Sequence, residues 1–467
     1  MEQISGFPRN LAFNLKKLSG SIIKQKINIQ SDKSSYNAND RVMINLPLGR
    51  MIDSRSIVAT AKCTTNTNGF HFPRGGLNSL IENLQITANS RVIQSTQMYN
   101  YIWNCLADVS GYFSPEQSTK RMYENFDPSI AHTNVRGEGA IVTTNNANVV
   151  ATIETYYFAI NSFLGFLSSS AAIFDTNNIG QVQIIFTLSP DSVLWFGLGN
   201  TSATNLTGGT YKVEEFNLSM DTITFTNSLY YDLIKSKLEE DGLNIAYNDY
   251  LVSVGSLITK SSSFLTHTAQ FSTNSLDMVL ATFRPDSYNK SSVLLLANAV
   301  HGDASSTGSS LTYNEVIANP LANEGAGIYG GFNNSRYFLR DGSGINQSSF
   351  YINSQPMIIN SAPINIFQNL LLCLDYANID IASGGFHGGA ITTGFYNRNY
   401  FLDALSLENL SGDNNNWVSG LGGNGGVIQI QYNYSFNGNT DKIYPIIIGK
   451  VTKVMNIKIG RNIDIME

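Results

Sequence analysis

Charge is what this chain has least of. Only 14% of its 467 residues are Asp, Glu, Lys or Arg, against roughly 25% in an ordinary soluble domain. The balance of 29 basic and 35 acidic residues, a net charge of -6, provides no broad cationic surface for nucleic acid. Cysteine is equally scarce: Cys63, Cys105 and Cys373 show no CxxC spacing and cannot all pair, so they read as buried free thiols rather than a disulfide framework. No apolar run approaches the length of a bilayer-spanning helix. The opening MEQISGFPRN lacks a basic start, an apolar core and a cleavage pattern. No secretory signal is therefore expected, and the chain reads as a soluble product of the cytoplasm.

Catalytic signatures are also missing. The histidines, His71, His132, His267, His301 and His387, are dispersed and form no HExxH or HxH pattern, so zinc and non-haem iron sites have no support. The glycines at Gly325, Gly327, Gly330 and Gly331 have no lysine at P-loop spacing and read as a loop. No GxSxG occurs. Glu154 and Asp277 lie inside strand patterns, and Asp403 and Glu408 flank an apolar step. Paired acids of this kind serve glycosidases, but each reads first as an acid on the solvated face of a half-buried strand. No catalytic, cofactor-binding or metal-binding residue is assigned, and no cofactor is expected.

What the chain does have is turn chemistry and alternation. Its 39 glycines and many Asn, Ser and Thr punctuate short runs rich in β-branched and aromatic residues. Such runs occupy Arg41–Leu46, Val149–Phe158, Gly180–Leu188, Leu276–Phe283, Val427–Phe436 and Tyr444–Ile459. Lys212–Phe225 carries two more around Met220-Asp221. Many short strands without a βα rhythm predict an all-β, antiparallel sandwich or barrel. Helices are few. One is expected after a Ser95-Thr96-Gln97 cap through Asn104 or Ala107, and another over Ala362–Leu374. A third covers Leu229–Glu240, where acidic residues crowd the unfavourable C-terminal end.

These pieces recur. VIQSTQMYNYIWNCLAD (from Val92) matches IINSAPINIFQNLLLCL (from Ile358) at an offset of 266, pairing Ile93 with Ile359 and Tyr101 with Phe367. GQVQIIFTL (from Gly180) matches GVIQIQYNY (from Gly426) at 246, and Met43-Ile44 has a looser counterpart in Met278-Val279 at 235. Matches in the same order predict a tandem duplication of one β-domain. The expected units are an arm at 1–19, a first domain at 20–228, a connector at 229–249 and a second domain at 250–467. Tyr101 and Phe367 are expected to plug the ends of their own sandwiches. Gly-rich stretches of the second copy, chiefly within 300–335, are expected on an outer face.

Ser35–Pro47, Phe72–Val109, Ile179–Pro190 and Leu410–Phe436 together resemble the double jelly-roll major capsid proteins of double-stranded DNA viruses, in the virophage and polinton-like group. The resemblance lies in order and layout rather than in an invariant motif, and many virophage-like members are longer. It implies two eight-stranded jelly rolls, a homotrimer with a pseudo-six-fold outline, and trimers tiling an icosahedral virion shell. It also implies separate penton and minor or cement proteins as partners. The arm lysines Lys16, Lys17, Lys24, Lys26 and Lys33, with Asp32 the only acid among them, read as the guarded edge of a first strand. A weak contact with packaged DNA or an inner membrane is the second reading. Outside that family, the composition also suits an adhesin or receptor- or carbohydrate-binding sandwich, and after it a β-sandwich glycoside-active enzyme.

Overall fold

The computed structural model describes residues 22–65, 70–73, 75–109, 143–144, 148–149, 155–169, 173–196, 209–225, 229–240, 242–289, 336–357, 401–407, 420–422, 426–438 and 441–466. The first half contributes β1 (Ile22–Gln30), β2 (Arg41–Asn45), β3 (Met51–Thr65), β4 (Ile81–Ala88), β5 (Arg91–Thr96), β6 (Thr155–Ile160), β7 (Val182–Leu188) and β8 (Tyr211–Phe225). The second contributes β9 (Leu243–Val254), β10 (Leu265–Ser272), β11 (Leu276–Pro285), β12 (Ile345–Ile352), β13 (Gln355–Pro356), β14 (Asp403–Ser406), β15 (Val427–Phe436) and β16 (Lys442–Lys458). Helices α1 (Tyr99–Val109) and α2 (Leu229–Glu240) follow β5 and β8.

Alternation explains the strands. In β2, Val42 and Ile44 are buried while Arg41, Met43 and Asn45 are exposed. The apolar rows of two sheets then meet. One sheet runs β1-β8-β3-β6 and its partner β2-β7-β4-β5; the second half repeats this as β9-β16-β11-β14 and β10-β15-β12-β13. Adding eight to each label of the first half yields the second. Eight antiparallel strands in these two orders form a jelly roll, so the chain is two jelly rolls in tandem. Aromatic rings join the facing sheets, with Phe186 of β7 at 5.3 Å from Phe216 of β8. In the second roll Phe283 of β11 lies 4.8 Å from Tyr434 of β15.

The strand orders test the repeat. β7 and β15 hold equivalent central positions, as the GQVQIIFTL and GVIQIQYNY match implies. The third match is wrong: Met43-Ile44 lies in β2, whose counterpart is β10, whereas Met278-Val279 lies in β11. Period-two alternation is common to every half-buried strand, so a short match carries no register of its own. The turns carry a better signal. The hairpins β4–β5 and β12–β13 both turn on Asn-Ser with left-handed φ, 47° and 66° at Asn89-Ser90 and 49° and 66° at Asn353-Ser354, the type I′ geometry. Anchored there, Ile93 corresponds to Met357 and not to Ile359. The second-copy helix expected at Ala362–Leu374 and the loops at 300–335 lie outside the described residues.

Three boundaries also move. Lys212–Phe225 is one strand, and the interruption at Met220-Asp221 is a register shift between Ser219 and Asp221. The Ser95-Thr96-Gln97 cap does not form, because β5 runs through Thr96. Met98, at φ 51°, turns the chain instead, and its carbonyl accepts the N–H of Ile102 at 3.0 Å. Helix α2 has the expected bounds, its acidic end closed by Gly242 at φ 80°, whose N–H donates to Lys237 O at 3.0 Å. The expected connector is too long, since β9 pairs with β16 from Leu243 onward.

Candidate functional site

Of the acids raised by the sequence, the two described ones, Asp277 and Asp403, do not make a catalytic pair. Asp277 and Asp403 are buried, contrary to the solvated-face expectation. Each is satisfied by hydroxyls: Asp277 accepts from Ser275 Oγ at 3.0 Å and Thr452 Oγ1 at 2.6 Å. Asp403 accepts from Ser348 Oγ at 2.6 Å and Tyr432 Oη at 3.0 Å. Asp403 stands opposite Ala281, four positions along β11 from Asp277. That is roughly 13 Å of strand, beyond the spans at which two carboxyls cooperate on a glycosidic bond. Glu154 and Glu408 lie outside the described residues.

Cys63 and Cys105 are buried thiols. Burial pushes the Cys63 thiol far up, which leaves it unreactive. His267 packs against Ser253, and burial lowers its pKa. Among the described residues no three His, Cys, Asp or Glu side chains gather as for a metal ion. No helix among them is long and apolar enough to cross a membrane. A cleft of about 380 Å³ between α2 and the turn at Gly460 includes Asp175, Asn177, Asn178, Lys235 and Glu239. The Asp175 carboxylate there is already engaged by Asn177 N at 2.8 Å and Asn178 Nδ2 at 3.1 Å.

The most elaborate polar construction is the seam between the rolls. At one end β5 of the first roll meets β9 of the second. Tyr247 Oη donates to Ile93 O at 2.5 Å, and Thr96 Oγ1 donates to Asp249 Oδ1 at 3.0 Å. Lys453 lies 3.3 Å from the same carboxylate. Burial raises the Asp249 pKa, and Lys453 opposes that shift. The Phe166 ring stands edge-on to Tyr247 at 5.3 Å. At the rim, Asn89 Nδ2 donates to Arg461 O at 3.0 Å, Arg461 Nε donates to Asn177 O at 2.9 Å, and Arg91 reaches Ile463 O.

At the other end Tyr101 of α1 is fully buried, but not as the plug of its own sandwich. The Arg284 guanidinium of β11 sits over its ring at 5.0 Å and donates to Tyr337 O at 3.0 Å. Tyr337 Oη in turn donates to Glu82 of β4 at 2.7 Å. The reason lies on the helix. Asn100 and Asn104 turn toward their own roll, reaching Ser189 Oγ at 2.8 Å and Ser79 Oγ at 3.0 Å, so Tyr101 faces the neighbour. One apolar cluster therefore runs through both rolls. The helix pattern identified a buried ring; nothing in it told own roll from neighbour.

Of the arm lysines, Lys24 is committed to Asp221 at 2.8 Å and Asp53 at 3.7 Å. Lys26 and Lys33 are exposed, and Lys16 and Lys17 lie outside the described residues. Among the described residues β1 is an edge strand, paired with β8 alone, which accords with lysines guarding an edge.

No family model matches the chain, and no curated protein matches it. Solved structures do. PBCV-1 VP54, fitted into a reconstruction of the virophage Sputnik, superposes with a TM-score of 0.56 at 9% identity over 96% of this chain and 97% of that one. The Sputnik virophage structure gives 0.55 at 12% identity over 95% and 88%. The mavirus major capsid protein gives 0.52 at 10% identity over 100% and 92%. The shared property is the fold: two jelly rolls joined in one chain, matched nearly end to end.

Proposed function

We propose that this chain is a major capsid protein, a structural component of an icosahedral virion shell and not an enzyme. The observation that carries the reading is the end-to-end match to capsid proteins in both directions of coverage. The seam supports it physically. Two like wedges welded by a continuous core and buried hydrogen bonds form one rigid building block. Three such blocks arranged head to tail close a ring of six similar sides, and closure stops further growth through those contacts. The scarcity of charge suits broad surfaces that rely on uncharged hydrogen bonds. Under this reading a separate penton protein fills the five-fold vertices, and minor or cement proteins bridge trimers. The arm's contact with DNA or lipid is weak, since Lys24 is already paired.

Light scattering on the purified chain is expected to find a particle of three chains of 51.2 kDa each. Negative-stain images should then show hexagonal outlines and, at high concentration, arrays or shells. A monomer at every concentration, with glycan binding in its place, overturns the capsid reading in favour of a carbohydrate-binding sandwich.

A further inference from the structure

The seam joins only half of the edges that the fold offers for joining. In the first roll β5 is covered: Ile93 and Gln94 are 1% exposed and Thr96 is 0%. Its counterpart β13 is bare, with Gln355 and Pro356 exposed and Met357, the equivalent of Ile93, 37% exposed. The receiving strand shows the reverse. β9 is covered by the first roll, so that Ile245, Tyr247 and Asp249 are buried. Its counterpart β1 is bare over its first half, where Ile23 is 48% exposed and Gln25 is exposed as well.

These residues share a face in both rolls. On β9 the buried positions alternate through Ile245, Tyr247 and Asp249, and on β1 the same alternation runs Ile23, Gln25, Ile27, Ile29. Ile27 and Ile29 already pack against the core. Ile23 and Gln25 continue their row past the end of the sandwich, opposite Thr224 and Thr222 of β8. Each roll thus extends its β1-type sheet as an overhang and presents a β5-type edge. Within one chain, the edge of the first roll fills the overhang of the second.

We propose that the remaining pair meets between copies: the β13 edge, centred on Met357, seats on the β1 overhang at Ile23 and Gln25 of a second copy of this chain. The occupant follows from continuity with the seam, since among the described residues the β5-type edge left uncovered is the one on β13. The contact is heterologous, one patch meeting a different patch, so it propagates head to tail and ends only by ring closure. It also covers two exposed apolar side chains that lie on opposite rolls, Ile23 and Met357. The inference rests on the assembly reading and specifies its interface.

The test uses the full chain with Cys373→Ser, so that the two remaining native thiols are buried. Ile23→Cys and Met357→Cys are introduced singly and together, followed by mild oxidation. The double variant is expected to give disulfide-linked dimers and trimers on a non-reducing gel, and the single variants none. In parallel, Met357→Lys and Ile23→Lys, both at exposed positions, are expected to raise the dissociation constant of the assembly at least about tenfold, as for charging a side chain desolvated at an interface. Tyr157→Lys, at an exposed position of β6, leaves it unchanged. Trimers that persist unaltered in both lysine variants, with no cross-link or only one inside a single chain, overturn this interface and leave the capsid reading standing. A parent chain that is monomeric throughout overturns both.

Discussion

The two rolls share a strand order but not a manner of burying polarity. Among the described residues, the first roll buries mostly neutral groups: Thr65, Asn78, Ser79, Gln94, Thr96, Asn100 and Asn104, with Asp175 as its one buried acid. The second buries Asp249, Lys260, Asp277, Arg284, Arg340, Asp403 and Lys453. Buried charge is costly unless paired and hydrogen-bonded, so its location is informative. Asp249 and Lys453 lie where β5 arrives, and Arg284 lies over Tyr101. The second roll therefore carries the buried charge of the seam, while the first contributes mainly neutral groups, its charged members Glu82 and Arg91 being only partly buried or exposed. At this seam the first roll supplies the edge strand and the second roll receives it.

The largest effect that would break this comparison is expected at Tyr101. Tyr101→Ala removes a fully buried ring and the surface on which Arg284 rests, for a loss of about 3–5 kcal/mol measured by urea denaturation. If the ring couples the rolls, amide exchange should also quicken in β11, although Tyr101 belongs to the first roll. Unchanged exchange in β11 would return Tyr101 to its own sandwich.

Much of this division was legible in advance, and the rest was hidden for definable reasons. Alternation in Arg41–Asn45 and Val427–Phe436 marks half-buried strands directly, because the side-chain period of a strand is fixed by its backbone. The same regularity misled the pairing of Met43-Ile44 with Met278-Val279, since every such strand has it. The Asn-Ser turns at Asn89 and Asn353 were the better anchors, as positive φ is demanded by few geometries. Asp277 and Asp403 looked solvated because sequence shows an acid but not the Ser, Thr and Tyr hydroxyls brought to it from strands far away in the chain. The seam was least legible. Tyr101 and Arg284, or Thr96 and Asp249, are related only by the docking of two finished domains.

The charged half of the seam can be sharpened by comparing a buried ion pair with an exposed one. Asp249→Ala takes the carboxylate from the buried Lys453 ammonium and the acceptor from the Thr96 hydroxyl proton, although Thr96 Oγ1 still accepts from Gln94 Nε2, at a cost of about 3 kcal/mol. Asp221→Asn removes the partner of Lys24, whose side chain is 55% exposed, and should shift the urea midpoint by no more than the scatter of the measurement. The pH profile adds a sign. Burial raises Asp249 above its ordinary value, so the folded state holds the proton more tightly than the unfolded one. The contribution linked to this group is therefore complete below about pH 3.9, the unfolded value, and is lost as pH rises through the raised folded pKa. Asp249→Asn, which keeps an acceptor for Thr96, should flatten the profile in that window. A profile identical to the parent's would mean that the carboxyl reaches water.

The smallest effect tests whether the two Asn-Ser turns are equivalent as well as similar. Ser90 and Ser354 both sit at φ 66°, a conformation that costs an L-residue strain and glycine almost none. The type I′ turn favours Asn-Gly for that reason. Ser90→Gly and Ser354→Gly should each stabilise the chain by roughly 0.5–1 kcal/mol, the relief of left-handed strain less the added freedom of the unfolded chain. The surroundings differ, however. The first turn is held at the seam, where Asn89 Nδ2 meets Arg461 O, whereas the second leads into the bare β13 edge. Equal gains in the two variants would mean that the turn geometry is set locally by the hairpin. A gain at Ser354 without one at Ser90 would mean that the seam imposes the first turn's geometry. A loss at both positions would show that the serine side chains hold the turns themselves.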